Sequence, residues 1–149
     1  MLESVLVIRL IAAALLGGLL GLERSIAGKH AGMRTYALVS LGSALFVGIG
    51  TIASFQLSIF SGINPLQIAS NVVLGVGFIG AGLAVFRGEH PVELTTASGL
   101  WVVAGIGMAC GFGLYILAIV TTVLGIVIFS VLAKLERRIS SRFGTKHEE

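Results

Sequence analysis

The sequence predicts an all-α, polytopic membrane protein: a bundle of five transmembrane helices with the N-terminus outside and the C-terminus cytoplasmic. Three observations carry this. Hydrophobic residues make up 56% of the chain and charged residues 11%, where an average soluble domain carries roughly 25% charged residues. Five apolar stretches approach the roughly 20 residues needed to cross a bilayer. Nine of the ten Lys and Arg residues fall on one side of the membrane if five spans alternate, as cytoplasmic segments require.

The first span, Leu2 to Leu22, is interrupted only by Glu3, Ser4 and Arg9. It exceeds the roughly 7–15 apolar residues of a cleaved leader, and no basic segment precedes it, so it reads as a retained helix. The second runs from Thr35 to the neighbourhood of Phe55 without proline. The third opens with Asn64 as N-cap, Pro65 at the first helical position and Gln67 three residues after the cap, and runs to Phe86; these residue types satisfy or dispense with orphan amides. A polar hinge, Arg87 to Glu93, follows, with Pro91 placed to start the fourth helix and Glu93 to complement its dipole. That helix is expected to reach Cys110, with Gly111-Phe-Gly113 as a tight turn before the fifth run, Leu114 to Leu132. The domain reading is therefore a transmembrane unit over 1–133 and a short basic cytoplasmic tail over 134–149.

Orientation rests on Arg24, Lys29 and Arg34 between spans one and two, Arg87 between three and four, and Lys134, Arg137, Arg138, Arg142 and Lys146 after five. The loops at 56–64 and 111–113 carry no Lys or Arg. Arg9 is the exception and is expected to snorkel outward. Tyr36 and Tyr115 are expected at opposite interfaces, as an aromatic belt. The net charge of +3 does not point to nucleic acid, because the cations sit between apolar runs rather than on a folded soluble face. A lone cysteine, Cys110, excludes an intramolecular disulfide framework.

Gly75-Val-Gly77-Phe-Ile-Gly80 spells the dinucleotide fingerprint, but no βαβ pattern surrounds it. The chain has no Asp, and Glu93 comes too early for the ribose contact. Gly75, Gly77, Gly80, Gly82, Gly105 and Gly107 are instead expected as helix-packing positions, as are the pairs Gly17 and Gly21, and Gly107 and Gly111, by their spacing, since small residues let backbones approach. No internal repeat divides the chain.

The polar candidates cluster at helix ends. Glu23 and Arg34 are placed to pair across the first hairpin and brace it. Glu23, Glu89 and Glu93 are weak candidates for a hard cation such as Mg²⁺, which prefers carboxylate oxygen with retained water; no other cofactor is expected. No carboxylate lies mid-span, against an ion path of the usual kind. Asn71, Thr95, Thr96, Thr121 and Thr122 are read as groups that hydrogen-bond between helices. No nucleophile elbow, phosphate loop or grouped histidine, cysteine and acid points to an enzyme.

Gly21-Leu-Glu-Arg24, Ala31-Gly-Met-Arg-Thr35, Gly75 to Gly82, Leu94-Thr-Thr-Ala97, Leu100-Trp101 and Ala104-Gly-Ile-Gly107 resemble the bacterial MgtC/SapB membrane protein family in order and spacing, over about residues 10 to 135. The resemblance implies a multi-pass protein of the bacterial inner membrane, linked to low-Mg²⁺ adaptation and, in pathogens, to survival inside phagocytes. It further implies regulation of other membrane complexes, the F-type ATP synthase among them. Relative to the virulence members this chain is expected to be a short form, without their soluble C-terminal domain. Thr95 and Val102 stand where those members can carry Asn and Cys, and Asn71 where they often carry Gln. The expectation is a protein that modulates a partner complex; the alternative is an oligomeric transporter or channel subunit for Mg²⁺ or another small solute. Its partners are the bilayer and either further copies or another membrane protein. The candidate functional cluster is Glu23, Arg24, Arg34, Thr35, Asn71, Glu93, Thr95, Thr96 and Trp101.

Overall fold

A computed structural model describes residues 2–56, 64–85 and 94–143. The helices are α1 (Leu2–Ile26), α2 (Met33–Gln56), α3 (Pro65–Val85), α4 (Leu94–Phe112), α5 (Tyr115–Val127) and α6 (Ala133–Phe143), with a π-helical turn, Ile128–Leu132, joining the last two. Five spans are long and apolar enough to cross a membrane, the fifth running continuously from Tyr115 to Ser141. The segment read as a tail from Lys134 is therefore helical as far as Phe143.

The bundle inverts the distribution of a soluble core. Most large apolar side chains, Leu15, Leu74, Phe78, Trp101 and Ile116 among them, face outward, while the interior is rich in small residues such as Ala13, Ser40, Ala44, Ala104 and Ala118 beside a few large ones, Leu20, Tyr36, Leu100 and Ile106. Lipid tails are as apolar as leucine, so large side chains gain nothing by turning inward, and small ones let backbones touch. Helix α4 is the centre, in contact with α1, α2, α3 and α5, whereas α3 touches only α2 and α4 among the spans.

Helices α1, α2 and α4 converge on one residue. A Cβ on Gly17 would stand 2.8 Å from the Tyr36 carbonyl and press on the Ser40 side chain, and one on Gly107 would overlap the Ser40 backbone itself. Gly21 lies as tightly against Met33, and Gly111 against the Ala44 carbonyl. The glycines of the α3 run and Gly105, also read as packing positions, are placed differently. A Cβ at Gly75, Gly77, Gly82 or Gly105 would meet no described atom within 4 Å, and at Gly80 it would make ordinary contact with Ala97, 3.6 Å from its methyl. Among Gly75, Gly77, Gly80, Gly82, Gly105 and Gly107, Gly107 alone makes a tight approach to a described atom. The physical reason is that α3 lies at the margin and turns most of its glycines away from its neighbours.

Helix ends follow the sequence closely at α3, where Asn64 Oδ1 accepts from the Leu66 amide at 2.9 Å. They depart from it at α1, which continues through Glu23 and Arg24 to Ile26, shrinking the first loop to residues 27–32. Gly28 ends α1 at φ 69°: its amide donates to the Ser25 carbonyl and the Lys29 amide to that of Arg24. Gly113 repeats this at the end of α4 with φ 81°, its amide donating to Cys110 and that of Leu114 to Ala109. Both are Schellman caps, in which a left-handed residue lets two terminal carbonyls find donors. Gly111 and Phe112 thus belong to the helix, and the turn is confined to Gly113 and Leu114.

Arg9 reaches this second cap. Its Nη1 donates to the Gly111 carbonyl at 2.7 Å, placing a cation at the carboxyl end of α4, where the helix dipole favours it. Substituting alanine for Gly28 is expected to lower the unfolding free energy by about 1 kcal/mol, from the left-handed backbone alone. Gly113→Ala is expected to cost more, because the added methyl would stand 3.1 Å from Arg9 Nη2. Thermal unfolding in one detergent measures both.

Tyr36 corrects the aromatic-belt expectation. It is fully buried, and its hydroxyl donates to the Thr96 carbonyl at 3.3 Å. Its height along α2 suits an interface, but packing against Gly21 and Gly99 rotates it inward. Tyr115, by contrast, is half-buried at the start of α5.

Candidate functional site at the basic end of the bundle

At the end of the bundle away from Arg9, α1, α4 and the π turn enclose a cavity of about 830 Å³. The last turns of α1 contribute Glu23 and Arg24, the first turn of α4 Thr95 and Thr96, and the π turn Phe129 and Ser130. Arg24 Nε donates to Glu23 Oε2 at 2.6 Å. Its guanidinium carbon lies 3.8 Å from the centroid of the Phe129 ring, a stacking geometry that planar arginine favours over lysine. Ser130 Oγ makes a long 3.5 Å hydrogen bond to the other carboxylate oxygen of Glu23. The Arg24 side chain is only 5% exposed and that of Glu23 19%, so the pair is shielded from water in a way that surface ion pairs are not.

Four of the named cluster residues, Glu23, Arg24, Thr95 and Thr96, line this one cavity. The expected Glu23 to Arg34 bridge is not the pairing found. Glu23 bonds to its neighbour Arg24, while Arg34 is exposed. Bracing of the hairpin comes from Ser25, whose Oγ accepts from the Met33 amide at 2.9 Å. Thr35 is half-buried near the start of α2, and Trp101 is 57% exposed on the outer face of α4. Asn71 is exposed and lines a separate groove of about 580 Å³ between α2 and α3, with Leu38, Phe46 and Gly75. Thr122 is buried, its hydroxyl donating within its own helix to the Ala118 carbonyl at 2.8 Å. Glu89 and Glu93 lie outside the described residues.

Phe129 and Ser130 were not legible as site residues, since nothing in an Ile, Val and Leu-rich run marks them. Lys134 and Arg137 read as tail charges, yet they line the same cavity as Lys29. The first hairpin and the end of the fifth span therefore share one end of the bundle. As for metal, the cavity holds two carboxylates, Glu136 and Glu23, of which Glu23 is paired with Arg24, and no group of three or more His, Cys, Asp or Glu able to hold an ion occurs among the described residues.

An apolar exterior over five spans, a core of small residues and charge gathered at a helix-end cavity define a multi-pass membrane protein. The chain belongs to the MgtC family, whose model matches residues 10–138. It is 42% identical over 141 residues to YhiD of Escherichia coli K12, a protein whose name proposes magnesium transport; the match covers 91% of this chain and 64% of YhiD. It is 40% identical over 126 residues to the protein MgtC of Brucella abortus, covering 85% of this chain and 50% of that one. With SrpB of Synechococcus elongatus it shares 40% identity over 138 residues, 87% of this chain and 75% of SrpB. The chain thus spans less than two thirds of YhiD and half of the Brucella protein. No solved structure matches it.

Proposed function

We propose that the protein serves Mg²⁺ homeostasis or low-Mg²⁺ adaptation in the bacterial inner membrane by modulating a partner membrane complex, without carrying the ion and without catalysing a reaction. Family membership and the magnesium-related name of YhiD support the link to Mg²⁺. The basic end, with Lys29, Lys134 and Arg137 together, is read as cytoplasmic by the positive-inside rule, which puts the N-terminus outside.

The observation that carries modulation over transport is the Glu23–Arg24 pair. A hard cation takes several oxygen ligands, and of the two carboxylates lining the cavity Glu23 has one oxygen on Arg24 and the other on Ser130, which leaves Glu136 alone. A shielded ion pair stacked on a ring is instead a rigid joint between α1 and the fifth span. Cys110, buried within α4, is no better placed as an exposed nucleophile. One observation favours the rival reading of an oligomeric transporter: the outward glycines of α3 offer a close-packing surface to another copy.

Reconstitution into liposomes containing a Mg²⁺-sensitive dye separates the two. The expected result is Mg²⁺ entry no faster than in protein-free liposomes, over a range of protein densities. Robust entry that Glu23→Gln abolishes would overturn the modulator reading.

A further inference from the structure

We infer that the cavity at the basic end is a binding site for an anionic phospholipid, its phosphodiester held by Lys29, Lys134 and Arg137 and one acyl chain lying along Leu22 and Ile126. This goes beyond the proposed modulation and does not depend on it.

The charge inventory comes first. Four cations, Arg24, Lys29, Lys134 and Arg137, line the cavity against two carboxylates, Glu23 and Glu136. Arg24 and Glu23 cancel as an ion pair. That leaves three cations facing a single unpaired acid, an excess drawn from two segments more than 100 residues apart in sequence, the α1–α2 loop and α6. Such convergence of unpaired cations calls for an anion from outside the described chain.

The rest of the wall decides which anion. Below the cations the lining is Leu19, Leu22, Ile126, Ile128 and Leu132, and of these all but Ile126 are exposed. Leu19 and Leu22 precede Lys29 along the chain from the first span, and Ile126, Ile128 and Leu132 precede Lys134 on the fifth, so the apolar part of the cleft lies deeper along both helices than the cations. A soluble phosphate would satisfy the rim and leave the apolar wall unused. A phospholipid uses both, and basic pockets between spans on the cytoplasmic side are a recognised form of headgroup site. The volume of about 830 Å³ lies within the roughly 300–1,000 Å³ of sites that enclose small molecules. The buried Arg24 on Phe129 closes the inner wall, so the ligand enters from the side.

The test uses the full chain purified in a neutral detergent and native mass spectrometry with two lipids of identical acyl chains, phosphatidylglycerol and phosphatidylethanolamine. The expected result is at least tenfold tighter retention of phosphatidylglycerol. Lys29→Gln, Lys134→Gln and Arg137→Gln together should bring it to the level of phosphatidylethanolamine, and each alone should weaken it by roughly fivefold, the fold-change equivalent of one cation near an anionic surface. All three residues are exposed, and unchanged thermal midpoints will confirm that the variants fold; should the triple variant not fold, the single variants decide. Leu22→Ser should weaken both lipids alike. Equal retention of the two lipids, or a preference that survives the charge substitutions, overturns the site. Glycerol phosphate competing as strongly as the lipid would also overturn it, in favour of a bare anion site. Mg²⁺ flux in liposomes does not enter this readout, so the two proposals fail separately.

Discussion

Replacing Gly107 by alanine is expected to cost about 3 kcal/mol and to remove most monodisperse protein from a detergent extract. Alanine is the better helix former by about 1 kcal/mol, so propensity alone predicts stabilisation. The opposing effect is larger. The new Cβ would overlap the backbone of Ser40, which cannot rotate away as the tip of a side chain can, and overpacking of this kind costs about 1–3 kcal/mol or more. Since α1 also closes on Ser40 through Gly17, a shift of α2 away from α4 drives it into α1. Gly105→Ala is the control. It lies one residue pair away on the same helix with no described atom within 4 Å of the added methyl, and is expected to leave stability unchanged or raised. A Gly107→Ala protein as stable as the parent would refute the α2 to α4 packing.

Arg24→Met is expected to destabilise the protein by about 3 kcal/mol, near the lower end of the range for removing one partner of a buried pair. The loss arises less from the missing attraction than from Glu23, left shielded and uncompensated with only Ser130 as a distant donor. Lysine at this position restores charge but not the planar stack over Phe129, so Arg24→Lys should recover only part of the stability. Glu23→Gln with Arg24→Met should be more stable than Arg24→Met alone, because the stranded charge is gone. Thermal unfolding of the four proteins in a double-mutant cycle measures the coupling. Strictly additive effects would mean that the 2.6 Å pair contributes nothing.

The spans were legible because their signal is summed over many residues, and the α3 cap because Asn64 and Pro65 act locally. The partner of Glu23 was not. Adjacent residues on a helix do not face each other, so spacing favoured a reach across the hairpin to Arg34; the π turn instead brought Phe129 and Ser130 to the end of α1, and Arg24 lies between. The α3 glycines show a second limit. A run of small residues marks a face on which backbones can meet, but whether the meeting helix lies in the same chain depends on which neighbours surround it, and around Gly75 and Gly77 none does. Tyr36 shows a third: sequence fixes height along a helix better than rotation about it. Of the named cluster, Glu23, Arg24, Thr95 and Thr96 converge because they terminate helices at one end, whereas Asn71 and Trp101 lie within spans and face away.

The hydrogen bond from Tyr36 to the Thr96 carbonyl joins residues 60 positions apart, and this bears on the order in which the protein is made. Chains emerge N-terminal end first, so the α1–α2 hairpin can be complete before α4 has been synthesised. During that interval Tyr36 lacks the Thr96 carbonyl, and Ser40 lacks the surface of α4 at Gly107 that later closes on it. The face of the hairpin that α4 covers in the finished bundle therefore stays without its partner until α3 and then α4 have been made. Assembly of this bundle is governed by a helix that arrives fourth yet belongs at the centre.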